Sequence, residues 1–163
     1  MQDETEDKKA ARIFEELAAP FAAEDIEWRV GSTDAAKTKG LALPYITNRA
    51  VMDRLDTVVG PMNWNNEVRQ VGKGWVCRLT IWVVGHPITH EDGADETDIE
   101  PTKGGISDSM KRAAVHLGIG RYLYHLPAMW APLNGKRLAS IPKLPDWALP
   151  NGGKATRPPA QAT

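Results

Sequence analysis

Apolar residues along this chain switch between a helical and an alternating rhythm, and the switches predict a mixed domain. From about Thr5 to Ala19, the residues Ala10, Ile13, Phe14 and Leu17 recur at helical spacing until Pro20 stops the run. Ile26–Val30 is short and rich in β-branched and aromatic residues, a strand ending at Gly31. Ser32–Gly40 is polar, carries Lys37 and Lys39, and reads as an exposed loop. Thr47 has the chemistry of a helix N-cap, and Val51, Met52, Leu55, Val58 and Val59 form a stripe before Gly60-Pro61 ends the helix. Arg49 and Asp53 lie one helical turn apart on its outer side, placed to pair.

Two strands follow. Trp64–Gln70 alternates loosely, and Val71-Gly72-Lys73-Gly74 supplies turn residues for a hairpin into Trp75–Val84. One face of that second strand holds Trp75, Cys77, Leu79, Ile81 and Val83; the other holds Val76, Arg78, Thr80, Trp82 and Val84. The first face reads as core, and the second suits a packed sheet or a binding surface. Gly85-His86-Pro87 breaks the strand, and Ile88–Glu91 starts a further one. Lys103-Gly104-Gly105 leads into a helix with Ser107 as its cap, Met110, Ala113, Ala114 and Leu117 as its buried stripe, and Gly118 at its end. Beyond Leu126 the prolines are too frequent for continuous structure, although Trp130, Leu133, Leu138, Ile141 and Trp147 can pin part of the segment. This order describes an α+β domain with an antiparallel β-sheet packed with helices, and there is no internal repeat. The expected division is an acidic N-terminal tail over 1–8, one domain over 9–150 and a disordered tail over 151–163.

Composition narrows the class. The chain has 163 residues, 42% hydrophobic and 25% charged, which is ordinary for one globular domain. No apolar run approaches the roughly 20 residues that span a bilayer, and the acidic, polar start is unlike a signal peptide. A single cysteine, Cys77, leaves no internal disulfide and suits a reducing compartment. A soluble cytoplasmic protein with no membrane partner is expected. The formal charge is −1, but Glu91–Glu100 holds six acids and no Lys or Arg. Setting aside those six and the four acids Asp3, Glu4, Glu6 and Asp7 turns the −1 into +9. A body with that excess can present a basic face to a polyanion, though two solvated acidic loops with no partner would give the same numbers.

The motifs exclude more than they assign. Neither GxxxxGK[ST] nor GxGxxG occurs, so a nucleotide-driven or dinucleotide enzyme has no support and no cofactor is expected. His86 and His90 flank Pro87 in a strand or turn with no further ligand at metal-binding spacing, and His116 and His125 are no better placed. Asp92, Asp95, Glu96, Asp98 and Glu100, with Lys103, raise the possibility of a Mg²⁺-dependent nuclease. Their interleaving with Gly, Ala, Thr and Pro101 reads instead as a flexible loop. Cys77 points to the core face of its strand and has no base beside it in sequence.

The informative stretch runs from Lys103 to Gly118. Gly104 and Gly105 would expose amides just ahead of a helix N-terminus, a place for a phosphate. Lys111 and Arg112 follow on the side away from Met110, Ala114 and Leu117. A solvated face with a dibasic pair is the common alternative. The run Ser-Asp-Ser-Met-Lys-Arg-Ala-Ala from Ser107, followed by Leu-Gly-Ile-Gly-Arg-Tyr-Leu-Tyr from Leu117, resembles the signature of the Rad-type single-strand annealing superfamily. Within it, the chain is most similar to the bacterial DNA-damage-response A (DdrA) family and related phage annealing proteins. Three further stretches agree in order: Pro20-Phe21 to Ile26-Glu27-Trp28-Arg29-Val30, Tyr45-Ile-Thr-Asn-Arg49 through Leu55-Asp56 to Gly60-Pro61, and Asn63-Trp64.

The resemblance implies a β-β-β-α core, a protomer of a homo-oligomeric ring, and a basic groove that holds single-stranded DNA by its backbone. It implies an ATP-independent, non-enzymatic protein of DNA repair and recombination that protects DNA ends or promotes annealing, associated with the nucleoid. Residue by residue, it places Lys111 and Arg112 on the groove helix and Arg29 at the end of the first strand, with Lys103 and Arg49 as further DNA contacts. No extended tail for a recombinase partner is seen. The readings that compete with this are the nuclease built on the 91–100 segment and a protein-interaction domain that ignores DNA.

Overall fold

The structure, a computed structural model, describes residues 4–96, 98 and 100–153. Its fold class is α+β, with antiparallel sheets and helices packed together. Contacts divide the chain into two units, one drawn from Met1–Ala19 and Ile46–Tyr124, the other from Pro20–Tyr45 and His125–Thr163.

In the first unit, helix α1 (Glu6–Ala18) buries Ile13 and Leu17. Glu6 and Asp7, assigned above to an acidic tail, form its first turn, where negative charge complements the helix dipole. Helix α2 (Asn48–Val58) starts as the sequence requires: Thr47 Oγ1 accepts the Ala50 amide at 3.2 Å, and Val51 and Leu55 are buried. Arg49 lies exposed and makes no ion pair with Asp53 among the described residues. The neighbouring Arg54 joins the two helices, its Nη1 donating to the carbonyls of Glu16, Leu17 and Ala19 at 3.0, 3.0 and 2.7 Å, the groups a helix C-terminus leaves unsatisfied. Thr47→Ala removes a cap worth about 1 kcal/mol, so the melting temperature of this variant should fall by about 2–4 °C in a thermal scan.

Strands β3 (Trp64–Val71), β4 (Gly74–Val83) and β5 (His86–Asp95) form an antiparallel meander, with Val68 opposite Cys77 and Cys77 opposite Asp92. The predicted faces of the central strand are confirmed: Cys77, Leu79, Ile81 and Val83 are buried, whereas Arg78 and Trp82 are exposed. Burial pushes the Cys77 thiol up to about 11, against a weaker opposing hydrogen bond from Asn66. Helix α3 (Pro101–His116) covers the buried face with Ser109, Met110, Ala113 and Ala114. It ends at Gly118, whose φ of +92° only glycine adopts freely. The Gly118 amide donates to Val115 and the Ile119 amide to Ala114, the paired bonds of a Schellman cap.

Two sequence expectations fail here. The acidic segment is not a loop from Glu91, because β5 continues to Asp95 against Gly74. Helix α3 begins six residues before Ser107, at Pro101, whose fixed φ and absent N–H suit a first helical position. Gly104 and Gly105 therefore lie inside the helix, and the Gly104 amide is taken by the Glu100 carbonyl at 2.9 Å. Gly105 is glycine because α3 crosses β4 closely: a Cβ there would run into Cδ1 of Trp75.

The second unit holds a four-stranded sheet in the order β1 (Ile26–Thr33), β2 (Lys39–Ile46), β6 (Met129–Asn134) and β7 (Arg137–Leu138). Asp34 shapes the β1–β2 turn by accepting the amides of Thr38 and Lys39 at 2.7 and 2.9 Å and the Thr38 hydroxyl at 2.7 Å. The region read as one polar loop is thus two strand ends and a turn. Strands β6 and β7 occupy the proline-rich stretch expected to lack continuous structure. Pro132 is tolerated because a short strand needs few donors, and its carbonyl still accepts the Ala139 amide at 2.8 Å. Leu133 and Leu138 are half-buried, but Trp130, Ile141 and Trp147 are largely exposed; Leu144 and Ala148 fill the interior instead. Of the C-terminal tail, 151–153 belong to a short 3-10 segment and 154–163 lie outside the described residues. No described helix is long and apolar enough to cross a membrane.

Candidate nucleic-acid interface

The side of α3 turned away from Met110 and Ala114 carries Lys111 and Arg112, with His116 exposed in the last turn and Lys103 exposed in the first. What organises this side is Asp92, delivered by β5. Its Oδ1 accepts the Gly93 amide at 2.7 Å and Arg112 Nε at 3.1 Å, and its Oδ2 lies 3.1 Å from His116 Nε2. Burial pushes the Asp92 carboxyl up, but the Gly93 amide, His116 and Arg112 together outweigh it and hold the group below its ordinary value. The stabilisation it gives is present above the ordinary carboxylate range and is lost in acid, as pH falls through the lowered pKa. The His116 ring also stacks on His90, with centroids 5.2 Å apart and planes at 13°.

Arg112 is held by Nε alone among the described residues, and its side chain is 56% exposed. A guanidinium fixed this way keeps its two terminal nitrogens for a bidentate phosphate contact. Lys111 is 27% exposed and lies 3.1 Å from Asp108. Lys103, further back on the same helix, pairs with Glu100 at 3.2 Å in the open. An exposed pair like Lys103–Glu100 is weak, so a polyanion can take Lys103 from its partner at little cost.

The structure brings Lys111 and Arg112 together on one helix, with Lys103 about two turns away along it. Arg49 is on α2 of the same unit, and Arg29 is on β1 of the other unit. The Gly104-Gly105 amides do not form the expected phosphate site. Asp92 is the residue that sequence reading missed. It was grouped with solvated acids, and its parity with His90 on one strand face was the available signal. Glu91, on the opposite face, pairs instead with Arg69 at 2.9 Å. Among the described residues no three His, Cys, Asp or Glu side chains gather closely enough to hold a metal ion.

The model of a family described as Rad52/22 family double-strand break repair protein matches residues 9–137. Among curated proteins, the chain is 37% identical over 147 residues to a protein of Deinococcus radiodurans named single-stranded DNA-binding protein DdrA. That alignment covers 88% of this chain and 70% of the relative. A protein of the same name from Deinococcus deserti is 38% identical over 152 residues, covering 88% of this chain and 73% of its own length.

Proposed function

Because the chain belongs to the Rad52/22 family of double-strand break repair proteins, we propose that it binds single-stranded DNA through the backbone, without ATP, as a ring of identical subunits. The observation that carries this reading is the Lys111–Arg112 pair on α3, with Lys111 half-buried and Arg112 exposed and held by Asp92 so that its guanidinium edge stays available. In the proposed mechanism Lys111 and Arg112, with Lys103, Arg49 and Arg29 as further contacts, each neutralise a phosphate and release condensed counterions. Backbone contacts carry no sequence information, so binding is general. A strand gripped by its phosphates leaves its bases free to test a second strand, which is what annealing requires, and the same grip covers an end against degradation. Repetition around a ring converts weak sites into tight binding. The protein acts in the cytoplasm at the nucleoid, and nothing in this mechanism needs a cofactor.

Fluorescence anisotropy with a labelled single-stranded oligonucleotide over a salt series, without metal or nucleotide, tests the reading alongside a mass measurement in solution. The expected result is a large oligomer whose affinity falls by about 0.7 log unit per decade of salt for each phosphate contact. A monomer that leaves the oligonucleotide unbound at low salt would overturn it.

A further inference from the structure

The four-stranded sheet of the second unit has one face turned to its interior and one turned outward, and the outward face is not inert. A Cβ added at Gly40 would meet Val30 and Leu133, which places those residues and Ala42 and Ala131 on the inner face. By the alternation of a strand, the outer face then receives Arg29, Lys39, Leu41 and Trp130, with Arg137 opposite Asn134 at its end. Trp130 stands directly opposite half-buried Leu41, yet 51% of its surface remains exposed. Lys39 faces Pro132, one diagonal step from Trp130, about 7–8 Å between backbones and within reach of a long side chain. Glu27 is the one carboxylate on this face among the described residues, and Tyr45 donates its hydroxyl hydrogen to it at 2.7 Å.

A large π surface held open on a rigid strand, backed by leucine and flanked by cations in excess of acids, has the chemistry of a stacking platform for single strands: an aromatic face takes a base while cations take the phosphates on either side. We propose that Trp130, with Lys39 beside it, is a base-stacking site for single-stranded nucleic acid, in addition to the backbone grip of α3. The charge excess on the face favours a polyanion over a second copy of the chain. The inference rests on the single-strand-binding reading above and adds a contact to the base itself.

The test compares an oligo-dT with an abasic oligonucleotide of equal length, which keeps the phosphates and lacks the bases. Trp130→Leu keeps apolar bulk for folding but removes the π face; Trp130→Phe keeps a smaller one. For oligo-dT, Trp130→Leu should weaken binding by about 5- to 100-fold, with Trp130→Phe recovering most of the loss and abasic affinity unchanged in both. Undiminished oligo-dT binding by Trp130→Leu would overturn the platform while the backbone reading stands. A drop in oligomer mass in Trp130→Leu would overturn it too, making Trp130 a contact between copies. Wild-type protein that binds neither oligonucleotide would remove the single-strand reading and the platform together.

Discussion

Alanine at both Lys111 and Arg112 should lower affinity for a single-stranded oligonucleotide by about a hundredfold or more at low salt, and flatten the salt dependence by about 1.4 log units per decade. The first figure follows from two charge-assisted hydrogen bonds, each contributing about 1.5–3 kcal/mol. The second follows from two phosphate contacts at about 0.7 each. The fold should survive with some loss of stability, because Arg112 is exposed and neither side chain is fully buried, although half-buried Lys111 gives up its ion pair with Asp108. After the double change Asp92 still has the Gly93 amide and His116. Anisotropy across a salt series supplies both numbers, and a thermal scan checks that the variant is folded. An unchanged slope would remove these residues from the DNA grip.

Gly105→Val should destabilise the protein by about 3 kcal/mol, lowering the melting temperature by about 6–12 °C. Helix propensity alone predicts the opposite sign, since glycine is the poorer helix former by about 1 kcal/mol relative to alanine. Packing decides, because a side chain at this position would occupy the place of the Trp75 indole. The double variant Gly105→Val, Trp75→Ala should cost less than the sum of its parts, since the clash exists only when both large side chains are present. If Gly105→Val instead melts like the parent and loses only DNA affinity, the glycine serves the ligand rather than the fold.

That pair of glycines marks where sequence reading and structure part. A Gly-Gly ahead of an amphipathic run looks like a loop feeding a helix, and the amides look available. Whether the helix starts before or after the glycines depends on Pro101 and on the approach of β4, and the sequence states only the first of these. The acidic segment is a similar case. Glu91 and Asp92 are neighbours of identical character in composition, but strand alternation sends one across the sheet to Arg69 and the other under α3 to Arg112 and His116. Once the strand is known to reach Asp95, the split is forced; a flexible-loop assignment hides it. In the proline-rich region, local rules overestimated the disruption, because β6 and β7 are short and paired to β2 or to each other.

By itself, the sequence determined the parts of this protein that depend on near neighbours in the chain. These are the Thr47 cap, the buried stripes of α1, α2 and α3, the β3–β4 hairpin with its core face, and the glycine stop at Gly118. Each rests on a period or a backbone preference that a few consecutive residues fully express. The Lys111–Arg112 pair was legible for the same reason, as two cations opposite an apolar stripe. Only the tertiary structure decided that Asp92 holds Arg112 and His116, that Gly105 makes room for Trp75, and that Trp130 is left open opposite Leu41. Those relations join residues 20 to 89 positions apart, and a contact across such a separation is set by strand register and helix crossing, which no local pattern encodes.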